Sequence, residues 1–252
     1  MINSSTDKNL TTKNIMMTLN NENMDLEYKK GLCNLLRGLK LEKRNDLMDK
    51  VLSDRTRYAT VVLENIYQPH NASAVLRSCD CFGVQDVHII ENSYQYEHNP
   101  HVSLGAAQWL NLHRYGDLEN NTADCINTLK KDGYRIVATT PEANAVSIHD
   151  FDVAKGKFAL LFGTEKFGLT PEAFTMADEY IRIPMYGFTE SFNISVSVSL
   201  CLFHFTERIR TEKVDWHLTE EEQIDIYLQW YRNTVSNSEM IERKYNSEFF
   251  VE

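Results

Sequence analysis

Between residues 59 and 210, short apolar runs of strand length alternate with amphipathic stretches of helix length. The first run, Ala59–Glu64 (Ala-Thr-Val-Val-Leu-Glu), predicts a strand, and residues 84–90, 108–113 and 135–138 predict three more. Residues 158–162 read Phe-Ala-Leu-Leu-Phe without interruption, as a parallel strand covered on both faces should. A last alternating run around Ile181 and Ile183 is halted by Pro184. Between these, residues 71–82 predict a helix whose inward stripe is Val75, Cys79 and Phe82, at i, i+4, i+7, with Gly83 placed to end it. Residues 122–131 predict another, with Ala123, Ile126 and Leu129 inward and Gly133 beyond it, and Thr170 with Pro171 predicts the start of a third. Strands alternating with helices give an α/β domain with a largely parallel sheet flanked by helices.

The flanks differ. Residues 1–24 are rich in Asn, Thr and Ser without apolar period and are expected to be disordered. Residues 25–57 turn helical and basic: Lys29, Lys30, Arg37, Lys40, Lys43, Arg44, Lys50, Arg55 and Arg57 outnumber Glu27, Glu42, Asp46, Asp49 and Asp54. Either a solvated helix surface or an arm for an RNA backbone fits that charge pattern. Near the other end Thr219 and Glu222 have capping-box spacing, with Ile224, Tyr227, Leu228 and Tyr231 as an apolar stripe that must dock on its own domain or on a second copy. The division expected is a disordered extension (1–24), a helical basic arm (25–57), an α/β domain (58–212) and a C-terminal helical extension (213–252).

A chain of 252 residues with 42% hydrophobic residues can bury one sizeable core. Its formal charge of -10 excludes a surface built throughout for phosphate and leaves only a local patch. Five cysteines without CxxC spacing, and no apolar N-terminal segment, point to a reduced, cytoplasmic protein. The most apolar run, residues 194–205, is broken by serines and is shorter than the roughly 20 residues that span a bilayer, so no membrane segment is expected. His98 and His101 flank Asn99-Pro100 without a third ligand, and no metal is expected.

Candidate chemistry gathers where strands end. In Ile-Arg-Ile-Pro-Met-Tyr-Gly-Phe-Thr-Glu-Ser-Phe-Asn-Ile-Ser-Val-Ser-Val (residues 181–198), Ser191 and Asn193 sit at a helix start. They can cap that helix, or join the free amides of residues 183–192 in a pocket for a polar cofactor. Gly163-Thr164-Glu165-Lys166-Phe167-Gly168 follows the buried strand at its carboxyl end, where α/β sheets place ligands. It has neither P-loop nor GxGxxG spacing. Arg77 lies about 200° around its helix from Val75, at 100° per residue, beside the small residues Ala74, Ser78 and Cys81.

Three stretches together, Asn71-Ala72-Ser73-Ala74-Val75-Leu76-Arg77, Phe162-Gly163-Thr164-Glu165-Lys166-Phe167-Gly168, and Ile183-Pro184-Met185 through Ser191-Phe192-Asn193-Ile194-Ser195-Val196, resemble the motifs of the SpoU (TrmH-type) RNA ribose 2′-O-methyltransferases. The flanking helices resemble those of the branch that methylates guanosine 18 in the tRNA D-loop. The resemblance implies a trefoil-knotted α/β fold, S-adenosyl-L-methionine as cofactor, a homodimer with the active site at its interface, and tRNA as substrate. It puts Asn71, Arg77, Glu165, Ser191 and Asn193 in the catalytic set. It puts Thr139, Gly163, Ile183, Met185 and Phe192 at the cofactor. Two departures are Phe192, where tRNA-type members usually carry Leu, and the turn Thr139-Thr140-Pro141. Ribosomal RNA, another tRNA position, a non-catalytic RNA-binding knot protein and an unrelated nucleotide-binding α/β enzyme are the alternatives.

Overall fold

The computed structural model describes residues 25–93, 105–142 and 144–249. The expected disorder of residues 1–24, and His98 and His101, lie outside them. The described chain falls into two compact units, one within residues 1–52 and 218–252, the other spanning 53–217.

The larger unit is built on seven parallel strands: β1 (Ala59–Glu64), β2 (Asp86–Ile90), β3 (Asn111–Tyr115), β4 (Arg135–Thr139), β5 (Val146–Ser147), β6 (Phe158–Phe162) and β7 (Glu179–Arg182). Their order is β3-β2-β1-β6-β4-β7-β5. The mostly apolar β1 and the continuously apolar β6 lie side by side near the middle and are buried at every residue. One face of the sheet is covered by helices α3 (Pro69–Cys81) and α6 (Ile194–Thr211). There Val61, Leu63, Leu160 and Phe162 pack with Val75, Cys79, Val198 and Phe205. The other face is covered by α4 (Asn121–Lys131) and α5 (Pro171–Met176), where Val62 and Leu161 meet Ile126, Leu129 and Ala173. Each fully buried Leu, Val or Phe contributes about 1.5–3 kcal/mol through area removed from water, so these two apolar layers fix the sheet.

Several boundaries differ from the sequence expectation, each for a physical reason. Helix α3 opens at Pro69, whose ring fixes a helical φ, with Gln68 as the N-cap residue. Asn71 therefore lies inside the first turn and is not a cap. The strand expected at 108–113 is displaced: residues Ala106–Trp109 form a 3-10 turn after Gly105 (φ 80°), and β3 begins at Asn111. As the edge strand it is only half-buried, so its apolar signal is weak. In α4 the inward residues are Cys125, Ile126 and Leu129, with Ala123 half-exposed.

The smaller unit contains α1 (Leu26–Gly38), α2 (Glu42–Ser53), α7 (Glu220–Thr234) and α8 (Ser238–Phe249). Both bonds of the Thr219–Glu222 capping box are made. Ile224, Leu228 and Tyr231 are buried inside the unit together with Ile226 and Trp230, Tyr227 donates to Asp49 (2.6 Å) and Tyr231 to Asn45 (3.1 Å). Much of the basic run is spent on ion pairs: Lys29 with Asp225 (3.0 Å), Lys30 with Glu220 (3.1 Å) and Arg37 with Asp49 (2.7 Å). Arg55 and Arg57 belong to the larger unit and pair with Asp80 and Asp86.

Candidate active site

The carboxyl ends of β4, β6 and β7 open into a cavity of about 450 Å³. Thr139, Thr140 and Pro141 bound it after β4, residues 162–169 after β6, and Ile183, Met185, Ser191 and Phe192 after β7. The loop after β6 closes on itself, the amides of Thr164 and Gly168 each donating to the other's carbonyl at 2.9 Å. That closure requires glycine at 163, where a Cβ would stand 2.0 Å from the Gly168 carbonyl carbon. The Thr139 hydroxyl donates to the Leu161 carbonyl at 2.8 Å, which commits its side chain to the sheet.

After β7 the chain is open. From Met185 to Phe192 no backbone or side-chain group hydrogen-bonds to another described residue, so these amides and carbonyls are available to a ligand. Ile183 and Met185 are half-buried, while Ser191 and Phe192 are exposed. Tyr186 and Phe188 are fully exposed beside them.

Through Glu165, which lines this cavity, the three sequence stretches join in one chain of hydrogen bonds. Asn71, only 4% exposed, donates through Nδ2 to Glu165 and to Gln68 Oε1 (3.0 Å). Its Oδ1 accepts from Asn193 Nδ2 at 3.2 Å. Asn193 in turn caps α6, accepting from the Ser195 amide (2.9 Å) and hydroxyl (2.6 Å). Asn193 thus caps α6 and bonds Asn71 at the same time. Arg77 is exposed on α3 and, among the described residues, has no hydrogen-bond or ion-pair partner. Its neighbour Ser78 bonds Ser199 at 2.8 Å and pins α3 to α6. Arg77 and Ser191 stay outside the chain that joins Asn71, Glu165 and Asn193.

Sequence reasoning missed Gln68, whose only signal is its place three residues before Asn71 at a helix start. It also missed Glu142 and Glu190, which give the cavity lining two more carboxylates beside Glu165. Cys201 lines the cavity as well, but burial pushes its thiol up to about 12, which leaves no thiolate for nucleophilic work. Among the described residues no group of histidines, cysteines and carboxylates is arranged to hold a metal ion, and no helix is long and apolar enough to cross a membrane.

Residues 58–203 match the model of the SpoU rRNA methylase family. A tRNA (guanosine(18)-2′-O)-methyltransferase of Borreliella burgdorferi is 41% identical over 206 residues, covering 82% of this chain and 92% of that protein. The Thermus thermophilus protein of the same name is 36% identical over 162 residues, 64% of this chain and 81% of its own. Among solved structures, the Aquifex aeolicus TrmH/SpoU tRNA modifying enzyme superposes with a TM-score of 0.68 at 28% identity, covering 78% of this chain and 98% of the other. With the matched segment spanning all three stretches that these hydrogen bonds join, the chain belongs to the SpoU rRNA methylase family.

Proposed function

We propose that this protein transfers a methyl group from S-adenosyl-L-methionine to a ribose 2′-hydroxyl of tRNA, at guanosine 18 of the D-loop, and works as a cytoplasmic homodimer. The observation that carries the reading is the Glu165–Asn71–Asn193 chain, which ties polar groups from three separate segments to one another, with Glu165 lining the cavity. The names of the relatives, at up to 41% identity, support the tRNA position.

The cavity fits the cofactor. Its volume lies in the range of about 300–1,000 Å³ usual for small-molecule sites. Apolar Ile183, Met185 and Phe192 suit an adenosine, free amides between Met185 and Phe192 suit its polar edges, and the carboxylates Glu142, Glu165 and Glu190 suit a molecule carrying a sulfonium and an ammonium. When bound, the cofactor supplies an electrophilic methyl group; Thr139 and Gly163 complete its cradle through their backbones.

The remaining work falls to the chain's own side chains. A ribose hydroxyl is a weak nucleophile, so it must be aligned and its proton removed as the new C–O bond forms. Arginine stays protonated in proteins and cannot take that proton. Arg77 instead stabilises negative charge developing on the 2′-oxygen and grips a neighbouring phosphate, and the proton leaves to that phosphate or to water. Asn71 and Asn193 orient the ribose, Ser191 offers a hydroxyl to it, and Glu165 fixes the loop after β6 against Asn71.

Two structural features support the rest of the reading. Val196, Leu200 and Phe203, at i, i+4 and i+7 of α6, are exposed at 43%, 37% and 61%, a stripe that a second copy would cover. Strand β7 lies between β4 and β5 although it follows both in the chain, an order compatible with a trefoil knot. Incubating the protein with labelled cofactor and total RNA, then digesting to nucleosides, tests the class of reaction. Label in 2′-O-methylguanosine from the tRNA fraction is expected. Label in methylated bases would refute ribose chemistry, and label confined to ribosomal RNA would refute the substrate.

A further inference from the structure

Glu64 is the last residue of β1, is 1% exposed, and does not line the cavity. Three donors converge on it: the Thr170 amide on Oε2 (2.8 Å), and the hydroxyls of Thr170 and Thr122 on Oε1 (both 2.7 Å). All three are neutral. An ionised carboxylate is the one side chain that accepts on both oxygens and donates on neither. Thr122 is held in place by Asn92, whose Nδ2 donates to it at 2.8 Å. Asn65, the next residue along, accepts from the amides of Asn92 (3.0 Å) and Ser93 (2.9 Å) in a left-handed conformation at φ 55°.

The position of Thr170 gives this cluster its meaning. It directly follows Leu169, the end of the cavity-lining loop that begins at Phe162 and is stiffened by the Thr164–Gly168 closure. One end of that stiff loop is fixed by β6; the other is fixed by Thr170 on Glu64. The same β1 terminus launches the segment leading to Gln68 and Asn71. Resting on the function proposed above, we infer that Glu64 is a positioning residue: it sets the loop carrying Glu165 relative to Asn71, and through it the shape of the cofactor cavity.

The test is S-adenosylmethionine binding by calorimetry, with kcat, KM and thermal unfolding, on the full chain. Glu64→Met removes all the acceptors at similar length and should raise the cofactor Kd about tenfold or more, with KM for tRNA at saturating cofactor changed less than twofold. Thr170→Val removes the hydroxyl donor to Glu64 together with the cap on the Ala173 amide, keeps the amide, and should raise Kd about threefold even if Glu64→Met fails to fold; Thr170→Ser, which keeps both bonds, should restore the wild-type Kd. Val153→Ala, buried in the core before the amino end of β6, the end of that strand opposite to the loop, serves as a destabilised control whose Kd should not move. Wild-type binding that Thr170→Val and any folded Glu64→Met retain within twofold would overturn the inference alone. A wild-type protein that binds no cofactor would overturn the proposed function and this inference with it.

Discussion

Replacing Asn71 with Ala separates bracing from catalysis. The change deletes one hydrogen bond donated to the Glu165 carboxylate and two neutral ones, donated to Gln68 and accepted from Asn193. The three partners are exposed, so water replaces what Asn71 gave them and no buried group is left unpaired. Each bond then costs only its net value, at the low end of about 0.5–1.5 kcal/mol, for a total near 2 kcal/mol. In a unit of this size that lowers the unfolding temperature by about 4–8 °C, leaving the protein folded at 25 °C. Methyl transfer should fall much further. Without Asn71 no hydrogen bond among the described residues links the loop after β6 to the start of α6, and a displacement of 1 Å between reacting groups costs about 100-fold. The assay is single-turnover transfer at saturating cofactor, paired with a melting curve. A melting loss of the expected size with transfer within threefold of wild type would refute the reasoning and reduce Asn71 to a brace.

Further outcomes follow from the same geometry. Arg77→Lys keeps the charge but loses the planar fork, so kcat should drop about 100-fold with cofactor Kd unchanged; near-normal turnover with an unshifted pH profile would remove the specific guanidinium role. Gly163→Ala places a Cβ 2.0 Å from the Gly168 carbonyl carbon, forcing the Thr164–Gly168 pair apart, and should weaken cofactor binding about tenfold or more; an unchanged Kd would show that the loop can yield. Phe203→Glu charges the exposed stripe on α6 and should give a folded, inactive monomer by sedimentation, against a dimeric wild type; a variant that stays dimeric would place the interface elsewhere. On the α4 face of the sheet, burial pulls the His88 imidazole down to about 3, with His113 adding to the shift and Asp86 opposing it. The unfolded chain binds a proton there below about 6.5 while the native one stays neutral, so stability is full at pH 7 and falls as the pH drops from 6.5 toward 3. Between pH 7 and 5, urea titrations of His88→Phe should lose about 2 kcal/mol less than wild type; equal losses would discount the histidine.

The central sheet was legible because β6 is apolar at every position and β1 at four of six, both of strand length and too short for a buried helix. The edges were not. β5 has two residues and no pattern to detect, and β3 is half-exposed, so Trp109 and Leu110 drew the expected strand toward residues that form a 3-10 turn and its exit. Helix α7 read as a stripe of four residues, yet Ile226 and Trp230 are buried too, because partners approach it from more than one side. Glu165 and Asn71 are 94 positions apart, and no local spacing announces that they touch; motif resemblance pointed to them, and only the parallel sheet brings them together. Arg55 and Arg57 read as part of a basic arm because charge can be counted in a sequence while their acidic partners, Asp80 and Asp86, lie 25 and 29 residues away.

The most direct measurement is transfer of labelled methyl from S-adenosylmethionine to two tRNA transcripts, identical except that one carries 2′-deoxyguanosine at position 18. One methyl per unmodified transcript, located on the ribose of guanosine 18 and absent from the deoxy transcript, is the predicted result. Label that persists in the deoxy transcript, or no label in either while the cofactor is bound, would contradict methylation at that ribose.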